Sequence, residues 1–390
     1  MVMFRPEAVL NRTIEQIQPS GIRRFFDLIG QMKDVVSLTV GQPDFDTPWH
    51  IRDAGIRSLE EGRTYYTSNN GLLEFRKEIA AYQERRFGLS YQPESEIIVT
   101  VGGSEAIDLA FRALINPGDE VIIPEPCFVC YEPLARLAGA AVVRLPLQKE
   151  DGFKLNPDAL RKAMSPKTKI LVLAFPNNPT GACLSGEELA AVADVIRESG
   201  AAVLSDEIYA ELTYDRTHAS IASLPGMRER TIVVGGFSKS YAMTGWRLGY
   251  TLAPAAITEQ MAKIHQYGIM CAPTTSQYAA IEAARNGDED IEYMKSEYRA
   301  RRNLIVARLR EAGLECAMPE GAFYVFPRLP DCGLTSEQFC ERLLFEKHIA
   351  IVPGSAFGPS GEGFARLSYA YGIRHIEDAV AGIRAFLETL

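Results

Sequence analysis

A lysine and an arginine flank a short polar loop in the segment TIVVGGFSKSYAMTGWRLGYTL, residues 231–252. The apolar run at 232–234 has the length and β-branching of a buried strand, and Lys239 lies just past its end. Ser238 precedes the lysine, and Arg247 follows it by eight positions. A lysine amine can form a Schiff base with an aldehyde, and an arginine offers a planar fork of donors to a phosphate. The loop therefore suits a phosphorylated ligand with a carbonyl group, although a surface lysine and a salt-bridged arginine would fit the same residues.

A second polar cluster stands at the start of a predicted helix. Gly103 and Ser104, in TVGGSEAIDLAFRAL, precede apolar residues that recur on one helical face. Free backbone amides and the helix dipole at such a start favour an anion, so a phosphate fits there. A dinucleotide fits less well, because the spaced three-glycine fingerprint is missing.

Polar side chains also follow two other predicted strands. Asn178 lies in the turn of LAFPNNPTG, and Asp206 leaves the strand of AVLSDEIYAELTYD three residues before Tyr209. Each of the first two has an ordinary structural interpretation, Asn178 as a turn residue and Asp206 as a helix N-cap. Beside a bound aromatic ring, Asn178 would instead donate to a ring hydroxyl. Open α/β sheets bind ligands at the carboxyl ends of their strands, which is where these residues are predicted to lie.

Arg366, in GFARLSYAYG, stands among apolar and aromatic residues. An unpaired guanidinium would be costly there, so we expect an anionic partner, either an internal carboxylate or that of a substrate. Phe128, in EPCFVCY, would alone be a core residue, and near a site it could cover a flat ring. Cys127 and Cys130 form a CxxC pair that we interpret as coincidence, because zinc would lack its other ligands.

Strand-length and helical patterns alternate around these residues. Apolar runs recur at IIVTV, EVIIP, AVVRLPL, KILVLAF, AAVLSD and TIVVGG, with helical segments between most of them. Helix starts are predicted at Thr47 and Asn156, each followed by proline, and at Ser185 and Thr335, each with Glu or Gln three positions later. The sequence therefore predicts an α/β fold in which a mainly parallel sheet is covered by helices on both faces.

A chain of 390 residues with 47% hydrophobic content is predicted to form two domains. Residues 1–45 look like an N-terminal arm, and residues 46–290 carry the alternating pattern of the large domain. After about residue 290 the pattern changes to a long charged helix, short strands and a closing helix. We expect residues 291–390 to form a smaller α+β domain that the arm completes.

Charge and composition limit the classes of partner that the protein could bind. A net charge of -9 and a pI near 5.3 argue against nucleic acid and anionic membranes, which leaves small molecules. No apolar run approaches the ~20 residues of a membrane span, and the N-terminal residues lack the apolar core of a signal peptide. The seven cysteines are odd in number and dispersed along the chain, which fits a reducing compartment better than a disulfide framework. We expect a cytosolic protein.

Taken together and in this order, GGSEA, NNPTG, SDEIY and SKSYAMTGWR resemble the class I and II aminotransferases of the fold-type I pyridoxal-phosphate enzymes. The resemblance runs over essentially the whole chain, and it implies that residues 46–290 bind pyridoxal 5'-phosphate. Lys239 would be the Schiff-base lysine, and Asp206 would pair with the pyridine nitrogen. Other implied contacts are Asn178 and Tyr209 to the ring hydroxyl, Phe128 to the ring face, Gly103, Ser104, Ser238 and Arg247 to the phosphate, and Gly41, Asn178 and Arg366 to the substrate.

The resemblance also implies a reaction and an assembly. An L-amino acid, with aspartate or an aromatic amino acid favoured, would pass its amino group to a 2-oxo acid such as 2-oxoglutarate by a ping-pong mechanism. Lys239 would carry the α-proton, with Asp206 and Tyr209 as its catalytic partners. The enzyme would be a homodimer with shared sites, in which Tyr66 reaches the phosphate of the cofactor in the partner subunit.

Two other functions stay open at this point. A pyridoxal-phosphate lyase or decarboxylase on the same fold shares the first steps. A non-enzymatic regulator would lack Lys239 or Asp206 or carry a DNA-binding extension. The sequence also departs from the family pattern at Phe128, where several relatives have tryptophan or tyrosine, and at Gly236, where some have a phosphate-binding serine. Arg23 is a candidate for a distal substrate carboxylate, with a solvated arginine on the arm favoured.

Overall fold

The computed structural model describes residues 4–19, 21–22, 28–30 and 32–390. Strands lie at β1 Val36–Ser37, β2 Ile97–Thr100, β3 Glu120–Glu125, β4 Ala141–Pro146, β5 Thr168–Ala174, β6 Ala202–Asp206, β7 Thr231–Gly236, β8 Gly249–Leu252, β9 Tyr324–Val325, β10 Ile349–Ala350, β11 Val352–Pro353 and β12 Ala365–Ser368. Seven of them form one sheet in the order β2–β8–β7–β6–β5–β3–β4. Only β8 runs against its neighbours in this sheet. The predicted mainly parallel sheet is confirmed.

Helices of the described residues surround this sheet. They are α1 Arg12–Gln16, α2 Trp49–Glu60, α3 Leu73–Phe87, α4 Gly102–Leu114, α5 Tyr131–Leu137, α6 Pro157–Ala163, α7 Gly186–Arg197, α8 Phe237–Ser240, α9 Ala255–Gly268, α10 Thr274–Asn286, α11 Asp288–Glu311, α12 Ser336–Lys347 and α13 Ile373–Leu387. Within those ranges, none has both the length and the apolar character that crossing a membrane requires.

Alternation along the strands explains why both faces of the sheet are covered. In β5, Ile170 and Val172 enter one apolar cluster, whereas Leu171 and Leu173 enter another. Successive side chains of a strand point to opposite faces, so helices must bury both sides. The first cluster contains residues of α4, α5 and α9, and the second contains residues of α6 and α7.

Most of the predicted helix starts are where the sequence placed them. Ser185 and Thr335 each accept a hydrogen bond from the third residue of their helix and complete a capping box. Asn156 accepts from the backbone amide of Asp158. The prediction at Thr47 is wrong, because α2 begins at Trp49 and the Thr47 hydroxyl instead donates to a backbone carbonyl of the lysine loop, 2.6 Å from the oxygen of Ala242.

Shorter strands assemble beside the main sheet. The arm strand β1 pairs in parallel with β10, and β11, β12 and β9 form a three-stranded antiparallel sheet. In this sheet Tyr324 of β9 lies opposite Ser368 of β12. Arg366 is two residues before Ser368, so its side chain and that of Tyr324 share one face. This register brings an arginine and a tyrosine together.

Candidate active site

A cavity of about 380 Å³ lies where β5, β6 and β7 end. It is lined by all but one of the predicted site residues, namely Gly41, Gly103, Ser104, Phe128, Asn178, Asp206, Tyr209, Ser238, Lys239, Arg247 and Arg366. Tyr66 is the exception, because it does not line this cavity and 82% of its surface is exposed. Arg23 lies outside the described residues. Ligand sites of open α/β sheets occupy this end of the strands.

Lys239 lies in the short helix α8, immediately after β7. Its Nζ donates to the backbone oxygen of Gly41 at 2.7 Å. Burial lowers the pKa of the amine to about 8, and the positive charges of Arg366 and Arg247 act in the same direction. The amine therefore loses its proton more easily than an ordinary lysine, which makes it available as a nucleophile and a base.

Asp206 ends β6 as a buried carboxylate. Its Oδ2 accepts from the Tyr131 hydroxyl at 2.7 Å, and its Oδ1 accepts from the backbone amide of Ile208 at 3.1 Å. Burial raises the pKa of Asp206, and the two hydrogen bonds oppose that rise. A short 3₁₀ turn rather than an α-helix follows, so the N-cap interpretation is wrong. A cationic group of a ligand would stabilise this carboxylate.

Arg366 is buried between two aromatic rings, with its guanidinium carbon 4.5 Å from the ring centre of Tyr324 and 4.8 Å from that of Phe357. Its Nη1 donates to Oδ1 of Asn178 at 3.0 Å, and its Nη2 donates to the backbone oxygen of Thr39 at 2.6 Å. Both acceptors are neutral. Its Nε is buried and lacks a hydrogen-bond partner within the described ranges. Of the two anionic partners considered from the sequence, these contacts favour a carboxylate that a ligand brings.

The cavity wall also carries hydrogen-bond donors for an anion. Ser104 stands in the first turn of α4, and Ser238 and Arg247 come from the lysine loop. Gly102 has a φ of +77°, and a Cβ atom there would lie 2.5 Å from Nη2 of Arg247. A Cβ atom at Gly103 would lie 3.5 Å from Cγ1 of Val234, which is an ordinary van der Waals contact. The positive φ and the close approach of Arg247 to the start of the helix therefore require glycine at Gly102.

Gly236 is one of the two departures from the family pattern. A Cβ atom at this position would lie 2.5 Å from Cδ1 of Ile208, so a serine would require the isoleucine to move. The hydroxyl groups of Ser104 and Ser238 remain as donors on the cavity wall.

Comparison with known proteins agrees with this geometry. The family model described as "Aminotransferase class I and II" matches residues 33–383. The chain belongs to the class I and II aminotransferases. It is 53% identical to the putative aminotransferase YugH of Bacillus subtilis, over 97% of this chain and 98% of that protein. It is 46% identical to an aspartate aminotransferase of Pyrococcus abyssi, over 94% and 95% of the two chains.

Solved structures give the same result for the fold. The aromatic aminotransferase from Pyrococcus horikoshii superimposes with a TM-score of 0.90 and 44% identity, covering 94% of this chain and 99% of that one. Aminotransferases of this class and fold use pyridoxal phosphate, which is therefore the cofactor of this enzyme.

The residues of this aminotransferase fit that cofactor. The donors around Arg247 suit its phosphate, and the buried Asp206 suits the positive charge of a protonated ring nitrogen. The amine of Lys239 has the lowered pKa that attack on an aldehyde needs. The guanidinium of Arg366, which has only neutral acceptors among the described residues, would suit the carboxylate of a ligand.

Sequence reasoning missed two tyrosines of the site. Tyr131 holds Asp206, and the hydroxyl oxygen of Tyr324 lies 2.7 Å from that of Tyr209. Tyr131 follows Phe128 at a spacing that could have suggested a shared wall, and the two rings meet edge to face. Tyr324 stands in AFYVFP, where alternating aromatic residues look like a core strand. Nothing local distinguishes its hydroxyl from that of a packed tyrosine.

Proposed function

We propose that this aminotransferase moves the amino group of an L-amino acid to a 2-oxo acid by a ping-pong cycle. Aspartate and aromatic amino acids are the favoured donors, and 2-oxoglutarate is the expected acceptor. One observation carries the proposal: a lysine amine, a buried carboxylate and a buried arginine line the same cavity. The donor classes rest on similarity to the aspartate and aromatic aminotransferases of the two Pyrococcus species.

Each wall of the cavity would hold one part of the cofactor or substrate. Asp206 would pair with the ring nitrogen, Phe128 would cover the ring face, and Tyr209 would donate to the ring hydroxyl. The remaining contacts are Gly103, Ser104, Ser238 and Arg247 to the phosphate, Asn178 to the ring hydroxyl and the substrate, and Gly41 and Arg366 to the substrate carboxylate. When bound, pyridoxal phosphate supplies an electron sink for the charge left on the α-carbon.

Lys239 would anchor the cofactor through its amine and then move the α-proton of the substrate. The carbonyl of Gly41 lies 2.7 Å from Nζ and holds the amine on the substrate side of the cavity. With a pKa of about 8, the amine can take up and release a proton near neutral pH. Arg366, held by Asn178 and Thr39, would fix the carboxylate so that the α-carbon faces this amine.

A half-reaction screen tests the proposal. Purified enzyme with bound cofactor is mixed with single amino acids, and the absorbance of the cofactor is followed without any acceptor. We expect conversion with aspartate or with an aromatic amino acid, and recovery of the original spectrum on addition of 2-oxoglutarate. Release of ammonia or carbon dioxide with the conversion would instead assign the enzyme to the lyases or decarboxylases.

For Arg366→Lys, we expect the KM for every amino-acid donor to rise about 10- to 100-fold, because a point charge replaces a two-pronged clamp on the carboxylate. Initial rates over a range of donor concentrations measure this change. Arg302→Lys is a matched control, since Arg302 is also buried and stacked on a tyrosine but does not line the cavity. Unchanged donor saturation in Arg366→Lys would assign Arg366 a purely structural role.

We propose a division into residues 46–290 as a large cofactor-binding domain and residues 291–390, completed by the arm 1–45, as a smaller one. The pairing of β1 with β10 supports this division, because it joins the arm to the C-terminal part. Leu38 packs into a cluster made largely of residues that follow position 290.

We also propose a homodimer with shared active sites. Tyr65, Tyr66 and Tyr267 are 80%, 82% and 87% exposed in the single chain. Two hydrogen bonds join the segments that carry them, from Thr274 to the carbonyl of Tyr65 and from Asn69 to that of Met270. Adjacent exposed aromatic side chains of this size are typical of a surface that a partner covers.

A subunit-mixing experiment tests the role of Tyr66. Mixing Lys239→Ala and Tyr66→Phe chains yields heterodimers in which one site keeps its own lysine and receives an intact tyrosine from its partner. Because Tyr66→Phe should weaken phosphate binding by about 1 kcal/mol, the assay is run at limiting cofactor. We expect activity above the mean of the two parents. Activity equal to that mean, with subunit exchange confirmed, would contradict the shared site.

A cytosolic location is our further proposal. All seven cysteines are free thiols, which suits a reducing compartment. Burial raises the pKa of Cys127 and Cys130, so both members of the CxxC pair stay protonated and unreactive.

A further inference from the structure

Tyr324 joins two parts of the site that come from distant segments of the chain. Its side chain is buried, with 1% of its surface exposed. Its ring lies under the guanidinium of Arg366, with 4.5 Å between the guanidinium carbon and the ring centre. Its hydroxyl oxygen lies 2.7 Å from that of Tyr209. One side chain therefore contacts both the arginine proposed for the substrate carboxylate and the tyrosine proposed for the cofactor.

The backbone around this hydroxyl leaves little freedom for it to move. A Cβ atom on Gly41 would lie only 2.2 Å from the Tyr324 hydroxyl oxygen, so the chain must have glycine there for the hydroxyl to reach its place. The carbonyl of the same Gly41 accepts from Lys239. On the other side, pairing of β9 with β12 holds Tyr324 opposite Ser368. The hydroxyl is thus directed at Tyr209 by two separate parts of the fold.

A tyrosine hydroxyl has one proton to donate, so the direction of the bond between the two hydroxyls matters. If Tyr324 donates to Tyr209, the proton of Tyr209 is free to donate into the cavity. We propose that Tyr324 is a positioning residue that donates to Tyr209 and thereby directs the Tyr209 proton at the ring hydroxyl oxygen of the cofactor. This inference rests on the proposed role of Tyr209.

The charged groups around the pair favour this direction. Among the described residues, the titratable groups that face the two hydroxyls are Arg366, Lys239, Asp206 and Tyr371. Arg366 lies over the Tyr324 ring, and its positive charge makes the Tyr324 hydroxyl the better donor. Arg366 also lowers the pKa of Tyr209, but burial and the negative charge of Asp206 raise it, so Tyr209 is the weaker acid of the two and the better acceptor.

The test is a pH titration of the absorbance of the bound cofactor. A donor to the ring oxygen stabilises its negative charge, so weakening that donor moves the absorbance change to higher pH. We expect Tyr324→Phe to raise the midpoint by roughly half a pH unit, which is the lower end of what one neutral hydrogen bond contributes. Tyr209→Phe, which removes the direct donor, should raise it further.

The KM for the amino-acid donor distinguishes a positioning role of the Tyr324 hydroxyl from simple packing of its ring. Tyr324→Phe keeps the ring under Arg366, so the KM for the donor should change less than twofold, whereas Tyr324→Leu should raise both the KM and the midpoint. If Tyr324→Phe does not fold, Gly41→Ala serves instead, because it displaces the same hydroxyl and should raise the midpoint.

The possible results separate this inference from the function on which it rests. A midpoint that rises in Tyr209→Phe and stays in place in Tyr324→Phe would overturn the positioning role alone. A midpoint that stays in place in both variants would overturn the proposed role of Tyr209 as well. The half-reaction screen of the unaltered enzyme tests transamination independently of either result.

Discussion

Replacing Lys239 with alanine is expected to lower transamination by at least about 10²–10⁴-fold, the contribution of a well-placed general base. Both the covalent anchor and the proton carrier are lost together, because the same Nζ would serve both purposes. Arg366 and Arg247 are untouched, so donors to the substrate and to the phosphate remain. The variant should therefore fold and bind pyridoxal phosphate without the covalent bond. Single-turnover rates, measured at saturating donor, give the size of the loss.

A second substitution isolates the chemical role of the amine from its charge. Lys239→Arg keeps a positive charge near Gly41 but removes the nucleophile, since a guanidinium stays protonated in proteins. Both variants should be inactive, and both should lose cofactor on dialysis more readily than the unaltered enzyme. Lys263→Ala, on the exposed face of α9, is the matched control and should keep full activity. Substantial turnover by Lys239→Ala would contradict the assignment of this lysine.

The part of the site that follows the ends of strands could be predicted from sequence. Lys239, Asp206 and Asn178 each come shortly after an apolar run, and parallel strands bring such positions to one edge of a sheet. Each of these residues is close in sequence to its strand, and the regular geometry of a parallel sheet then places the three near one another. The same reasoning predicted a mainly parallel sheet covered by helices on both faces, because strands that are buried on both faces have continuous apolar runs.

Contacts between distant segments could not be predicted in this way. Arg366 bonds Asn178 across 188 positions and Thr39 across 327. These residues become partners because the C-terminal strands and the arm pack together. No spacing in the sequence indicates that packing. Thr47 shows the same limit, since its local pattern favoured a cap but its hydroxyl is used in a tertiary contact. The steric reason for glycine at Gly102 could not be predicted either, because it depends on the position of Arg247.

Asp206→Asn is expected to slow the half-reaction by about two to four orders of magnitude. The change keeps the size of the side chain and removes its charge. A buried cation left without its anionic partner costs about 3–5 kcal/mol, and each 1.4 kcal/mol is a factor of ten in rate if the charge is needed in the transition state. The ring nitrogen would then lose its proton, and the cofactor would be a weaker electron sink. Stopped-flow absorbance with a saturating donor measures this rate.

The neighbouring acid provides the control for this prediction. Glu207 is also buried, but its carboxylate bonds Ser205, Ser220 and His218 and does not line the cavity. Glu207→Gln therefore makes the same chemical change one residue away and should affect the stability of the fold more than the rate of the folded enzyme. If the two amide variants slow the half-reaction equally, the effect of Asp206→Asn comes from general damage to the end of β6. If only Asp206→Asn slows it, the loss belongs to the carboxylate that Tyr131 and the amide of Ile208 hold toward the cavity.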